Sequence, residues 1–256
     1  LVPKMIESKD NEKLKLVRKL RERKGREREG LFATEGEDLL EAGLAAGAEP
    51  RFVLVAAGST PAGSELEADE VEPELLAAAS ALGSGTRTIA VWPLAWAPVE
   101  PTAPCVYLHA VSDPGNVGTI LRTAHALLDA TVALGPDCAD PFGPKATRAS
   151  MGSIFARPPA KAAFAATPSP RAALVAHGGD GLDALAGAAT LCLGAEREGL
   201  PSEVIGACEV TATIPLVGAA ESLNVAAAAA IACERLAAGG GARISSLAMS
   251  EERPDA

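Results

Sequence analysis

The stretch IPLVGAAESLNVAAAAAIACERL, Ile214 to Leu236, has two unlike halves. Val225 to Cys233 is unbroken and mostly alanine, a composition that lets a helix press close against a neighbour. Ahead of it stand Glu221, Ser222 and Asn224. A strand ending at Ile214 and Pro215, a loop, and a helix beginning near Val225 is the arrangement expected at the end of a strand–helix unit. On capping alone, Ser222 would accept a hydrogen bond from a free N–H of the first turn. The apolar run is far short of the ~18 residues that a membrane span needs.

Upstream, short apolar runs recur between helical segments at Cys105–Val111, Thr131–Gly135, Ala172–His177, Thr190–Gly194 and Val210–Val217. They do not alternate with polar residues, as expected of parallel strands covered on both faces. Four prolines between Trp92 and Pro104 interrupt the pattern and divide the chain. The expected organisation is a first domain at 1–95, a linker at 96–104, a second α/β domain at 105–240 and a flexible tail at 241–256. The first domain reads as a basic helix over Lys13–Glu29, a helix at Glu35–Gly47, a strand at Arg51–Ala57, a helix at Glu72–Ala81 and a strand at Thr88–Trp92. That alternation predicts a small α/β sandwich.

The net charge of −10 argues against indiscriminate nucleic-acid binding. Residues 1–30, however, carry eleven Lys/Arg against six Asp/Glu, leaving −15 for the rest. KLKLVRKLRERKGRERE reads equally as a solvated amphipathic helix or as a phosphate-contacting one. Five widely spaced cysteines in apolar surroundings suggest neither a disulfide framework nor a metal site, and fit a reducing cytoplasm. The N-terminus is charged, unlike a secretory signal.

Ligands of open α/β sheets bind beyond the C-terminal strand ends. Three polar clusters fall there: DPGNVGTILRTAHALLDA after the first strand of the second domain, LGAEREGLP at Leu193–Pro201, and IPLVGAAESLNVA. In the first, Gly115 and Gly118 permit close backbone approach, and Arg122 lies off the apolar stripe, free to point into a cleft.

GNVGTILRTA, GAEREGLP and IPLVGAAESLNVAAA resemble, in order, the GNxGxxxRTA, GxExxGL and IPxxGxxESLNVxxA motifs of the SpoU (TrmH-type) family of SPOUT RNA methyltransferases. The first domain, most tellingly EREGLFATEG at Glu27–Gly36, resembles that family's substrate-binding module. The resemblance implies a C-terminal α/β trefoil-knot domain with a parallel sheet, a rare exception to unknotted folding. It implies a preceding ribosomal-protein L30e-like α/β sandwich, a homodimer, and S-adenosylmethionine as donor to a ribose 2′-hydroxyl of RNA, ribosomal rather than transfer RNA. No GxGxxG fingerprint is present, and no metal or membrane partner is expected.

Carried onto this sequence, the resemblance puts Gly194, Ile214 and Leu223, with neighbours Leu193 and Asn224, at the cofactor. Arg122 falls nearest the reacting hydroxyl, with Asn116 and Glu196 holding it and Ser222 and Asn224 positioning loop and ribose. A guanidinium is effectively always protonated, so Arg122 is read as an activating or phosphate-orienting group. Arg18, Arg21, Arg23, Arg26 and Arg148 are expected RNA contacts, joined by Lys145 and Ser150 of PKATRASMGS. Ala195 and Ala226 depart from the family's usual Asn and Ser. The alternatives are a catalytically silent RNA-binding or ribosome-assembly factor of the same fold, or transfer RNA as substrate instead of ribosomal RNA.

Overall fold

The computed structural model describes residues 5–59, 66–81, 85–217 and 221–239. The expected tail at 241–256 lies outside the described residues. In the first half, α1 (Glu12–Lys19) and α2 (Arg23–Glu29) precede β1 (Leu31–Glu35), α3 (Glu37–Ala45), β2 (Phe52–Ala56), β3 (Asp69–Val71), α4 (Pro73–Ala79) and β4 (Thr88–Pro93). The strands form one sheet in the order β1-β4-β2-β3, antiparallel except for β2 with β3. β4 sits between β1 and β2 and is buried over Thr88–Trp92, as its unbroken apolar run requires.

Three features differ from the sequence reading. The basic segment is two short helices rather than one, with Leu20 buried at the break. Gly25 lets the second helix approach the carbonyl of Lys19, which any Cβ would strike. β1 occupies the centre of EREGLFATEG, so Glu35 belongs to a strand and its helix begins at Glu37. β3 has only three residues, too few for a readable period.

The second half contains β5 (Cys105–Leu108), α5 (Pro114–Leu128), β6 (Thr131–Leu134), α6 (Pro144–Ser150), α7 (Ser153–Ala156), β7 (Ala160–Lys161), β8 (Arg171–Val175), β9 (Thr190–Leu193), α8 (Ser202–Gly206), β10 (Val210–Thr213) and α9 (Val225–Gly239). All six strands are parallel, in the order β10-β8-β9-β5-β6-β7. The five apolar runs are five of these strands. β7, two residues long, was not expected.

Val117, Ile120, Leu121 and Ala124 of α5 share a core with Ala226, Ala229, Ala232 and Cys233 of α9. Burial of each of the larger side chains contributes ~1.5–3 kcal/mol, and the alanines let α9 lie close. Gly118 faces the Ala146 carbonyl of α6 directly; a methyl group there would clash with backbone. The two halves meet through Phe32, Trp92, Phe142 and Ile154, with Trp96 and Phe155 packed against them. Residues 94–104 carry no helix or strand, and within them the Ala97 N–H donates to the Pro159 carbonyl.

Candidate active site

Parallel strands place their C-terminal ends on one edge of the sheet. β5 ends there at Leu108, β9 at Leu193 and β10 at Thr213, and the three polar clusters follow. At the start of α5, Asp113 is the N-cap; its Oδ1 accepts the Asn116 N–H at 2.9 Å. Its other oxygen accepts from Lys145 Nζ at 2.7 Å. The Lys145 ammonium, and then the Asn116 N–H, hold the Asp113 carboxyl below its ordinary range.

Asn116 uses its amide in both directions. Its Nδ2 donates to Glu196 Oε1 at 2.9 Å, and its Oδ1 accepts from Asn224 Nδ2 at 3.1 Å. Asn224 Oδ1 in turn accepts the N–H groups of Ala226 at 2.9 Å and Ala227 at 3.3 Å. Asn224 therefore caps α9, the task assigned to Ser222 on capping grounds; Ser222 lies exposed two residues earlier. The correction has a geometric cause: the amide oxygen of the residue just before the first turn meets its N–H groups.

Asn116, Asn224 and Glu196 line an open cleft of about 770 Å³ with Ala110, Ser112, Asp113, Asp137, Ala195, Arg197 and Glu198. Its charged rim is mainly acidic. The Glu196 loop is closed by reciprocal backbone bonds between Ala195 and Gly199, and a Cβ on Gly194 would strike Gly199. Leu193, Gly194 and Ile214 stand at the same sheet edge, and Leu223 directly precedes the cap; none of the four lines this cleft.

Arg122 is elsewhere. Six residues along α5 from Asn116, ~9 Å of rise, it is exposed and makes no bond with Asn116 or Glu196. Within one chain those two do not hold its guanidinium: Asn116 bonds both Glu196 and Asn224. Sequence reasoning also missed Asp113, although it stands in DPGN, and Asp137, whose φ of 56° sets a sharp turn after β6.

The expected RNA contacts divide. Arg26 is buried and donates to Asp140 Oδ2 at 2.8 and 2.6 Å and to the carbonyls of Leu20 and Arg21. Arg21 donates to the carbonyls of Ala78, Ala79 and Ser80, and Arg18 to those of Leu14 and Lys9. These guanidiniums complete helix ends and loops: Arg26 is buried in its bonds, and Arg18 and Arg21 spend their Nε and Nη2 donors within the chain. Ser150 is buried, its hydroxyl donating to the Thr147 carbonyl. Arg23, paired with Glu27 at 2.9 Å, and Arg148 are exposed.

The SpoU rRNA Methylase family model matches residues 103–234, and an MRM3-like substrate binding domain matches residues 11–90. The chain belongs to the SpoU rRNA methylase family. It is 33% identical over 245 residues to the 23S rRNA (guanosine(2553)-2′-O)-methyltransferase RlmP of Bacillus subtilis, covering 89% of this chain and 97% of that protein. The AdoMet-bound rRNA methyltransferase from Sinorhizobium meliloti superposes with a TM-score of 0.78 at 26% identity, over 91% of this chain and 96% of that one. AviRb, a SpoU methyltransferase from Streptomyces viridochromogenes, gives a TM-score of 0.76 over 89% and 97% of the two chains. At 22% identity that likeness is one of fold alone. The second half thus has the expected SPOUT fold. Among the described residues no helix is long and apolar enough to cross a membrane, and no three His, Cys, Asp or Glu side chains are grouped to hold a metal.

Proposed function

We propose that this SpoU-family chain methylates a ribose 2′-hydroxyl of ribosomal RNA, in a structured loop of the large subunit, using S-adenosylmethionine. The bond sequence Glu196–Asn116–Asn224 carries the reading, because it ties the three motif segments together at the ligand-binding edge of the sheet. The residues fit the cofactor at the strand ends beside the cleft that Asn116 and Glu196 line, where the close approach of Gly194 to Gly199 leaves backbone rather than side chains to meet a ligand. Backbone at Leu193, Gly194, Ile214 and Leu223 would hold it, with Asn224 fixing the last loop.

Bound there, the cofactor supplies an already electrophilic methyl group. The protein has to orient a weak oxygen nucleophile. The part of Arg122 is to hold the ribose or its phosphate and to stabilise the oxygen as its proton passes to solvent water. Asn116 and Glu196 keep the Glu196 loop and the start of α5 in register. Exposed Arg148 and Arg23 are the RNA contacts of choice among the expected set.

We further propose a cytoplasmic homodimer in which Arg122 serves the partner's cleft. Leu127 of α5 and Ile231 of α9 are exposed apolar side chains on two helices packed together, a surface suited to association. Arg122 is exposed on α5 and makes no hydrogen bond or ion pair among the described residues. Mixing an Arg122→Ala chain with a Glu196→Ala chain should restore part of the activity that each alone lacks; no restoration would place Arg122 in its own chain's site. Mapping 2′-O-methyl groups in ribosomal RNA with and without the protein tests the activity. No methyl group gained, together with no cofactor uptake at millimolar donor, would leave a silent RNA-binding factor.

A further inference from the structure

We infer that the cleft between the two halves seats the base of a nucleotide flanking the methylated one, an inference that rests on the RNA methyltransferase reading. The cleft measures about 610 Å³, within the range of small-molecule sites. Its lining includes Leu134 and Gly135, where β6 ends, so it lies at the ligand-binding edge of the parallel sheet. Asp137 lies in the walls of both this cleft and the one holding Asn116 and Glu196. The two clefts are therefore neighbours on that edge, close enough for one strand to reach both.

The lining selects the flat, uncharged part of a nucleotide. Arg26 is matched by Asp140, and Arg23 by Glu27, within the wall itself. Lys161 and Asp137 remain, again of opposite sign. Apart from Lys161, which makes no ion pair among the described residues, a wall so balanced does not gather phosphates. It does hold an aromatic platform: Trp96 is half-buried, with the Phe142 ring edge-on at 4.9 Å and 82°. The exposed Lys161 ammonium stands 4.4 Å over the indole. Bases stack on such faces with little regard to sequence, and a lysine tip on a flexible stem can move from ring to phosphate as the base arrives. Both halves of the chain build the cleft, so substrate entry would also fix their relation.

The test uses the full-length protein and unmethylated large-subunit ribosomal RNA transcribed in vitro. Adding that RNA should quench tryptophan fluorescence in the wild type and not in Trp96→Phe, because Trp92 is buried and out of reach. Trp96→Ala should raise KM for the RNA about ten-fold, the loss expected for one stacked base, with kcat within about two-fold and cofactor affinity unchanged. Lys161→Ala should weaken binding and lower the salt slope by about one. Should Trp96→Ala fail to fold, the Trp96→Phe and Lys161→Ala arms still decide. Wild-type methylation with no quenching and unchanged KM in all three variants would overturn the inference and leave the activity standing. A wild type that neither methylates nor binds the RNA would overturn both.

Discussion

The basic stretch at the start of the chain and the motif cluster at the sheet edge both offer polar side chains at helix ends, and the two use them in opposite ways. In α1 and α2 the guanidiniums turn inward. Arg26 closes the carbonyl end of α1 and reaches Asp140 in the other half, Arg21 closes the end of α4, and Arg18 bonds neighbouring carbonyls. At the sheet edge, two amides and a carboxylate bond one another across 80 and 108 residues of sequence and leave an open cleft beside them. Arg122, exposed on α5, makes no hydrogen bond or ion pair among the described residues. Local cation density thus says little about which cations are free to meet RNA. Long-range pairing decides that, and a guanidinium with five donors readily serves as internal mortar.

The sharpest break between the two regions would come from Arg122→Ala. It should lower single-turnover methylation on the order of 10³-fold, the loss typical of a preorganised charge at a reacting centre, without changing the melting temperature. Full activity would return Arg122 to the class of idle surface cations. Arg26→Ala should show the reverse pattern. Removing one member of a buried ion pair costs ~3 kcal/mol or more, read as a lower urea midpoint, with Asp140 left unpaired. Arg23→Ala, on an exposed pair, should leave that midpoint unmoved.

Gly118→Ala probes the packing behind the site. The added methyl group meets the backbone carbonyl of Ala146, so a loss of ~1–3 kcal/mol is expected from overpacking, with α5 displaced and cofactor uptake weakened. A neutral result would mean that α5 and α6 separate easily. The smallest effect concerns Asp113. Its carboxyl titrates below its ordinary value because of Lys145 and the Asn116 N–H. The stabilisation is therefore complete above the unfolded pKa of ~3.9 and is lost as pH falls through the lower folded value. Asp113→Asn should remove a few tenths of a kcal/mol at neutral pH, since exposed pairs are screened, and should flatten the acid limb of the stability curve below about pH 4.

Much of the second half was legible because its signals are local. Unbroken apolar runs marked five of the six parallel strands, and the helical spacing of Val117, Ile120, Leu121, Ala124, Leu127 and Leu128 marked a face of α5 that is buried at the first four and exposed at Leu127. β7 escaped because two residues have no period. In the first half β1 was hidden inside EREGLFATEG, between a helix expected to end at Glu29 and one expected to begin at Glu35, where a short apolar stretch has too few residues for a readable period. Gly25 gave no warning of the turn between α1 and α2, since a glycine among lysines and arginines carries no sign of the backbone it touches.

By itself the sequence determined the two-part order of elements, the parallel sheet and the three polar clusters beyond its strands, because side-chain type and spacing are properties of short windows. The tertiary structure alone decided that Asn224 rather than Ser222 caps α9, that within one chain Asn116 bonds Glu196 rather than Arg122, and that Arg26 belongs to Asp140. Each of these depends on which distant groups arrive within about 3 Å, the range over which a hydrogen bond has its strength, and no window of sequence contains that distance.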